Sequence, residues 1–391
     1  MNHDYLILDC ETTTYAKGNP YSQQNKLCLC GIRDPTGKSY TFDVEYSDKS
    51  YVEALAKIQE LLNQTTLLIL FNAKFDLAWL RRYGLDYSHC RVYDCQLAHF
   101  ILRSQQDSYP SLNGVAESLG LGQKLDEVKE QYWNNGIDTP LIPLDVLTDY
   151  LIQDLVLTEA VYLKQKEVLS SVPYATQRLV SLSNQDLLVL LEMEWNGLKL
   201  DFDGMTKASN ETQEQINHIR KELDEYFGDA PAFSRNYNSG DCLSALLYGG
   251  TLVEELREVA GEYKTGAKVG QPRYRINNVQ HVLPRRFEPP SGSELKKEGF
   301  YSTNEETLRS IKGGKEGKVI LEKLLEMSKL DKLVTTYYAG LLKLAVEKDW
   351  EPGYIHGQFN QCVARTGRLS SSAPNLQNLP PEMDKLTITR F

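Results

Sequence analysis

Short apolar runs alternate with stretches of helical spacing over the first 170 residues or so, and helical spacing dominates afterwards. Tyr5-Leu6-Ile7-Leu8 and Leu67-Leu68-Ile69-Leu70-Phe71 are continuous apolar runs, the pattern of buried strands. A helical stretch over 75–83 follows the second run. Leu147, Leu151, Ile152, Leu155 and Val156 recur at helical spacing and predict a helix over 147–166. A further helix over 179–196 stops at Asn196-Gly197. The stretch 202–226 reads as a long charged helix opened by Asp201 or Asp203. Asn238-Ser239-Gly240-Asp241 starts a short helix that Gly249-Gly250 closes. Residues 251–301 are polar, basic and rich in Gly and Pro, which predicts a loop-like insertion. Thr303 and Glu306 stand three apart as a capping box. Apolar positions such as Ile320, Leu324, Leu325 and Leu333 predict a helical hairpin over 315–347, before a strand over 354–364.

Carboxylates punctuate this pattern at telling places. Asp9 and Glu11 end the first apolar run, two residues apart and so on one face of a strand. Asp76 follows the second run in Asn72-Ala73-Lys74-Phe75-Asp76. Tyr150 and Asp154 are four apart on the 147–166 helix and share a face. Carboxylate oxygens are hard ligands suited to Mg²⁺ or Mn²⁺. Two such ions about 4 Å apart serve an in-line phosphoryl displacement. Four acids with one tyrosine therefore read as a metal-dependent nuclease site.

Charge complicates that reading. The 391-residue chain has a formal net charge of −10, and phosphate contacts need Lys and Arg. The charge is unevenly spread, however. Residues 263–287 contain no Asp or Glu, while Lys264, Lys268, Arg273, Arg275, Arg285 and Arg286 are all basic. Seven cysteines form no Cys-x-x-Cys pair and fit a reducing cytoplasm better than disulfides or zinc. No apolar run approaches the ~20 residues of a membrane span. The first strand begins at once, so no signal peptide is expected. The length suits two or three domains.

The order of strand acids, Asn-x-x-x-Asp and Tyr-x-x-x-Asp resembles the DEDDy 3′–5′ exonuclease superfamily, which includes RNase D-like nucleases and the proofreading domain of family A DNA polymerases. That resemblance implies an RNase H-like α/β exonuclease domain at 1–165. It also implies two Mg²⁺ or Mn²⁺ ions on Asp9, Glu11, Asp76 and Asp154, with Tyr150 orienting water. Thr12 and Asn72 fall where the family touches the terminal nucleotide.

A second signal lies in Arg365-Thr366-Gly367-Arg368-Leu369-Ser370-Ser371-Ser372-Ala373-Pro374-Asn375-Leu376-Gln377-Asn378-Leu379-Pro380, where Arg, Asn and Gln suit phosphates and minor-groove edges. It resembles the segment joining thumb to palm in family A DNA polymerases. The resemblance implies a mainly α-helical thumb with a short β segment leading into a palm over 166–391, carrying the basic insertion at 251–301. Arg368, Asn375, Gln377 and Asn378 are the implied contacts to primer–template duplex, and Arg273, Arg275, Arg285 and Arg286 further DNA candidates. The family's palm and fingers groups have no counterpart before the last residues, Thr387-Ile388-Thr389-Arg390-Phe391. A split or truncated polymerase is therefore expected, with no nucleotide addition by this chain alone and a separate palm/fingers chain as partner. The insertion stands where some phage replicases bind a processivity factor, so such a partner at 251–301 and a phage-encoded protein of the bacterial cytoplasm are also expected. Two alternatives remain open at this stage: an RNase D-like RNA-trimming exonuclease, and a non-catalytic DNA-binding replicase subunit.

Overall fold

The computed structural model describes residues 3–47, 49–122, 126–266 and 268–388. Thr389, Arg390 and Phe391, where the sequence suggests an approach to a palm strand, lie outside the described residues. In chain order the elements are β1 (Leu6–Thr12), β2 (Leu27–Arg33), β3 (Ser39–Asp43), α1 (Val52–Leu62), β4 (Leu67–Leu70), α2 (Ala73–Arg82), β5 (Arg91–Asp94), α3 (Cys95–Leu102), α4 (Leu112–Ser118), α5 (Glu127–Gln131), α6 (Leu144–Ser171) and α7 (Tyr174–Asn196). Then follow β6 (Leu198–Lys199), α8 (Phe202–Tyr226), α9 (Gly240–Tyr248), β7 (Gly250–Glu262), β8 (Pro272–Leu283), α10 (Glu305–Ser310), α11 (Lys315–Lys332), a π-helical segment (Leu333–Tyr338), α12 (Ala339–Glu347), β9 (Tyr354–Ile355), β10 (Gln358–Asn360) and β11 (Ser370–Ser372). The region up to α7 is mixed α/β, and the region after it is mainly helical.

Two compact units divide the chain: residues 1–202 with 341–391, and residues 203–340. Compactness thus groups α7 and the last fifty residues with the sheet, a different partition from the module boundary expected near residue 165.

The first unit holds a five-stranded sheet in the order β3-β2-β1-β4-β5. β1 runs antiparallel to β2 and parallel to β4, and β4 runs parallel to β5. Alternation along β1 splits the core between two faces. Leu6 and Leu8 pack with Leu68, Leu70, Trp79 and Phe100 on one, while Ile7 joins Ile69, Leu155 and Val161 on the other. Asp9 and Glu11 continue the Ile7 row, which is the row facing α6.

The second unit is helical apart from the ribbon of β7 and β8, and several expectations are corrected here. Residues 250–283 are no loop: two strands of 13 and 12 residues pair antiparallel, with a bulge between Val259 and Glu262. Nor is the ribbon simply basic, because Glu254, Glu255, Glu258 and Glu262 line β7, with Glu258 directly across from Arg275. The cap of α10 is Asn304, whose Oδ1 accepts the Thr307 amide at 2.8 Å, rather than Thr303. The 315–347 stretch is one uninterrupted helical run through the π segment and not a hairpin. In the first unit, the strand expected over 354–364 is two short strands, β9 and β10.

Candidate active site

Three elements deliver the acids. β1 presents Asp9 and Glu11, and α6, packed across β1 and β2, brings Asp154 to them. Gly31 on β2, directly opposite Asp9, permits this approach. A Cβ at Gly31 would lie 2.8 Å from Leu155 Cδ1 and 2.9 Å from Leu151 Cγ of α6. Carboxylate oxygens of Asp9, Glu11 and Asp154 come within 4.8 Å of one another. Asp76 enters from the first turn of α2 beside Asp9, and its Oδ1 is buried with no hydrogen-bond partner among the described residues.

The acids are held close together and largely out of water. Glu11, Asp76 and Asp154 are 6%, 2% and 8% exposed. Burial, and then the charge of Asp9, push the Asp76 carboxyl well above the ordinary carboxylate range. Acids gathered in low dielectric repel one another, and an unpaired carboxylate oxygen loses its hydration. A divalent cation relieves both costs, so an all-oxygen set of this kind fits Mg²⁺ or Mn²⁺.

Tyr150 lies one turn before Asp154 on α6. Burial, and then the charges of Asp154 and Glu11, hold its hydroxyl far above the ordinary phenol range, so it remains a proton donor at neutral pH. The Trp133 ring packs edge-on against it, centroids 5.5 Å apart at 88°. Trp133 Nε1 donates to Thr139 Oγ1 at 3.1 Å, and Thr139 Oγ1 donates to the Thr12 carbonyl at 2.6 Å. A chain of contacts thus runs from Tyr150 back to the end of β1. Nothing in the sequence pattern marked Trp133, which sits in a short irregular turn.

Thr12 is buried at the end of β1, its hydroxyl donating to the Thr13 carbonyl at 3.1 Å. Gly18, at φ +67°, comes so close that a Cβ would fall 2.6 Å from Thr12 Oγ1 and 3.1 Å from Phe75 Cζ. Asn72 is exposed in the left-handed region at φ 65°, between β4 and α2. Its amide donates to Asp94 Oδ1 at 3.2 Å, and the Ala73 amide donates to Asp94 Oδ2 at 2.9 Å. The same Asp94 caps α3 through the Gln96 and Leu97 amides. Sequence reading missed Asp94, because its role appears only once two strand ends lie side by side. With Lys74 and Phe75, Asn72 lines a cavity of about 680 Å³ that extends to β10 and β11.

The other candidates lie on later elements of the chain. Arg368, Asn375, Gln377 and Asn378 are exposed around and beyond β11. Asn375 Oδ1 accepts the Gln377 amide at 3.1 Å, and Gln377 Nε2 donates to the Leu369 carbonyl at 3.3 Å. In the second unit, Arg273 and Arg275 are exposed on β8. Arg285 pairs with Glu288 at 3.1 Å, while Arg286 pairs with Asp229 and stacks over Phe227, its guanidinium 5.3 Å from the ring centroid. These last two arginines are held by the fold, unlike the pair on β8.

Comparison with known proteins gives two matching stretches. Residues 1–168 match the family model described as 3′-5′ exonuclease, and residues 274–390 match DNA polymerase family A. DNA polymerase I of Synechocystis sp. is 27% identical over 316 residues, covering 81% of this chain and 27% of that protein. DNA polymerase I of Bacillus subtilis is 24% identical over 315 residues, covering 81% of this chain and 30% of its own length. The DNA polymerase of Bacillus phage SP01 is 22% identical over 395 residues, covering 97% and 42%. The chain therefore spans less than half the length of these relatives. Among solved structures, the POL domain of Pol1 from M. smegmatis, in complex with DNA primer-template and dNTP, superposes with a TM-score of 0.66 at 20% identity. It covers 97% of this chain and 52% of that one. The chain is thus similar to the family A DNA polymerases over two separate stretches, a 3′–5′ exonuclease module at 1–168 and polymerase sequence at 274–390.

Proposed function

We propose that this chain removes nucleotides from DNA 3′ ends in a metal-dependent reaction of the proofreading type. An RNase H-like exonuclease domain over about 1–165 would do this, beside a thumb and the first part of a palm at 166–391 that hold primer–template. The observation that carries the reading is the convergence of Asp9, Glu11 and Asp154, with Asp76 buried beside them and one of its oxygens unpaired among the described residues. Two Mg²⁺ or Mn²⁺ ions held by these four carboxylates would supply an acidified water and neutralise charge developing on the phosphate. Tyr150, protonated and braced by Trp133, donates its hydroxyl hydrogen to the attacking water and fixes its direction. Thr12 and Asn72, flanking the acids, contact the terminal nucleotide.

Arg368, Asn375, Gln377 and Asn378 bind the duplex through exposed hydrogen-bonding groups. The groups that add nucleotides would come from polypeptide outside these 391 residues. The ribbon of β7 and β8 offers a docking place for a processivity factor, with Arg273 and Arg275 free to meet phosphate. This reading places the protein in the bacterial cytoplasm, whether host- or phage-encoded. DNA rather than RNA is favoured as substrate by the polymerase-type sequence at 274–390.

The test is degradation of a 5′-labelled single strand by the purified chain with Mg²⁺ or EDTA. A Mg²⁺-dependent ladder shortened from the 3′ end is expected, and it should vanish in the Asp9→Ala/Glu11→Ala variant while the circular dichroism spectrum stays unchanged. Undiminished degradation by the folded double variant would overturn the assignment.

A further inference from the structure

Lys74 lies on α2, two residues before Asp76, and its ammonium is engaged elsewhere. It reaches Glu194 on α7 and the backbone carbonyl of Phe359 on β10. Glu194 Oε1 also accepts the Phe359 amide, at 2.6 Å. One ion pair thereby holds both polar atoms of a single β10 residue. Its side chains are only 18% and 9% exposed, so it is not an ordinary surface pair. Withdrawing two charges from water is costly, and the return here is a fixed geometry around one residue, held through the peptide groups on both of its sides.

The surroundings reinforce that attachment. His356 Nδ1 lies 2.9 Å from the Glu194 carbonyl oxygen, and Tyr21 stacks on the His356 ring with centroids 4.1 Å apart at 11°. Gln361 Nε2 donates to the Ser183 carbonyl of α7 at 3.0 Å. β10 pairs with β11 through Phe359 and Ser371, and the loop between these strands carries Arg365 and Arg368. Lys74 falls in the stretch matching the exonuclease family, and Phe359 in the stretch matching the polymerase family. The pair also forms part of the wall of the 680 Å³ cavity, which has Asn72 and Phe75 at one side and Ser371 at another.

We propose that Lys74 and Glu194 are positioning residues that lock the β10–β11 hairpin to α2, so that an unpaired 3′ end leaving the duplex contacts at 368–378 is led along this cavity toward the acids. This inference rests on the nuclease reading above, and its test separates the two. Affinity would be measured in EDTA, where no hydrolysis occurs, for a primer–template with three unpaired 3′ nucleotides and for the same duplex fully paired. The wild-type chain should prefer the frayed substrate by about ten-fold or more, the worth of one well-seated base. In Glu194→Ala the two affinities should become equal. Glu194→Gln, which keeps an acceptor for the Phe359 amide, should restore part of the preference. The double variant Lys74→Met/Glu194→Ala should lose no more than Glu194→Ala alone, as for residues acting as one unit. An unchanged preference in Glu194→Ala, or no preference in the wild type, would overturn the proposal. Should Glu194→Ala fail to fold, full preference in Glu194→Gln together with Lys74→Met would overturn it equally. A wild-type preference without excision on adding Mg²⁺ would sink the nuclease reading and leave the clamp standing.

Discussion

Asp9, Glu11, Asp76 and Asp154 converge at the end of a sheet, whereas Glu254, Glu255, Glu258 and Glu262 are strung along a ribbon in solvent. The first group is nearly all buried, brought together from three elements that the core holds in place. The second is exposed or half-exposed, and Glu254 finds His281 Nε2 at 2.8 Å while Glu255 lies 3.9 Å from Arg257. Solvated charges cost the fold little and are worth little. Buried like charges cost a great deal, so a chain that retains them has a use for the resulting field. Charge density is the same sort of quantity in both places; what differs is whether water can cancel it.

The strongest way to break this contrast is to remove one acid from each group. Asp154→Ala should lower the rate of 3′-end excision about 1,000-fold, equivalent to about 4 kcal/mol of barrier. Glu258→Ala should leave that rate within about two-fold, as surface changes away from a site usually do. Comparable losses in both variants would erase the distinction.

A second test acts through packing. Gly31→Val puts methyl groups where Leu151 and Leu155 of α6 already lie, and α6 must retreat from β1. Overpacking of this kind should cost about 1–3 kcal/mol. Thermal unfolding should shift downward, and excision should fall with it because Tyr150 and Asp154 ride on the same helix. A destabilised variant with full activity would show that the acids tolerate displacement.

A third, smaller effect is the pH dependence of stability without metal. The Asp76 carboxyl is raised by burial and by Asp9, so its favourable contribution is complete below the unfolded-chain pKa of about 3.9 and is lost as pH rises through the folded value. Asp76→Asn has no such group. Its melting temperature in EDTA should therefore gain on that of the wild type as pH rises from acid toward neutrality, and saturating Mg²⁺ should remove the advantage. A difference that stays flat with pH would mean that Asp76 is not strained.

The smallest expected change concerns the ribbon. Arg273→Ala and Arg275→Ala should each flatten the log–log salt dependence of duplex binding by roughly 0.9 if both meet phosphate. Arg285→Ala should leave the slope alone, since Glu288 and the Tyr248 carbonyl already engage that side chain. An unaltered slope in all three would remove the ribbon from the DNA contacts.

What the sequence made legible follows the same division. Asp9, Glu11, Asp76, Tyr150 and Asp154 were readable because unmistakable strands and helices surround them, and elements of that kind leave a side chain few directions. Trp133 and Thr139 were not, since they sit in single helical turns, and Asp94 was not, since its partners come from a neighbouring strand end. The β7–β8 ribbon escaped notice for another reason. Its glycines, its proline and its bulge resemble loop sequence, and pairing over 13 and 12 residues depends on register rather than on an apolar pattern. The cap of α10 was misplaced by one residue because Thr303 and Asn304 are both competent caps, and only the backbone decides between them.

Asp94 links two corners of the sheet in a way that bears on motion. Its single carboxylate accepts amides from Asn72 and Ala73 at one corner, and from Gln96 and Leu97 at the other. Both helix starts thus depend on one carboxylate. In Asp94→Ala the amide hydrogens at the start of α2 and at the start of α3 are therefore expected to lose protection from exchange together. The helix that carries Asp76 is tied in this way to a helix that carries none of the four acids.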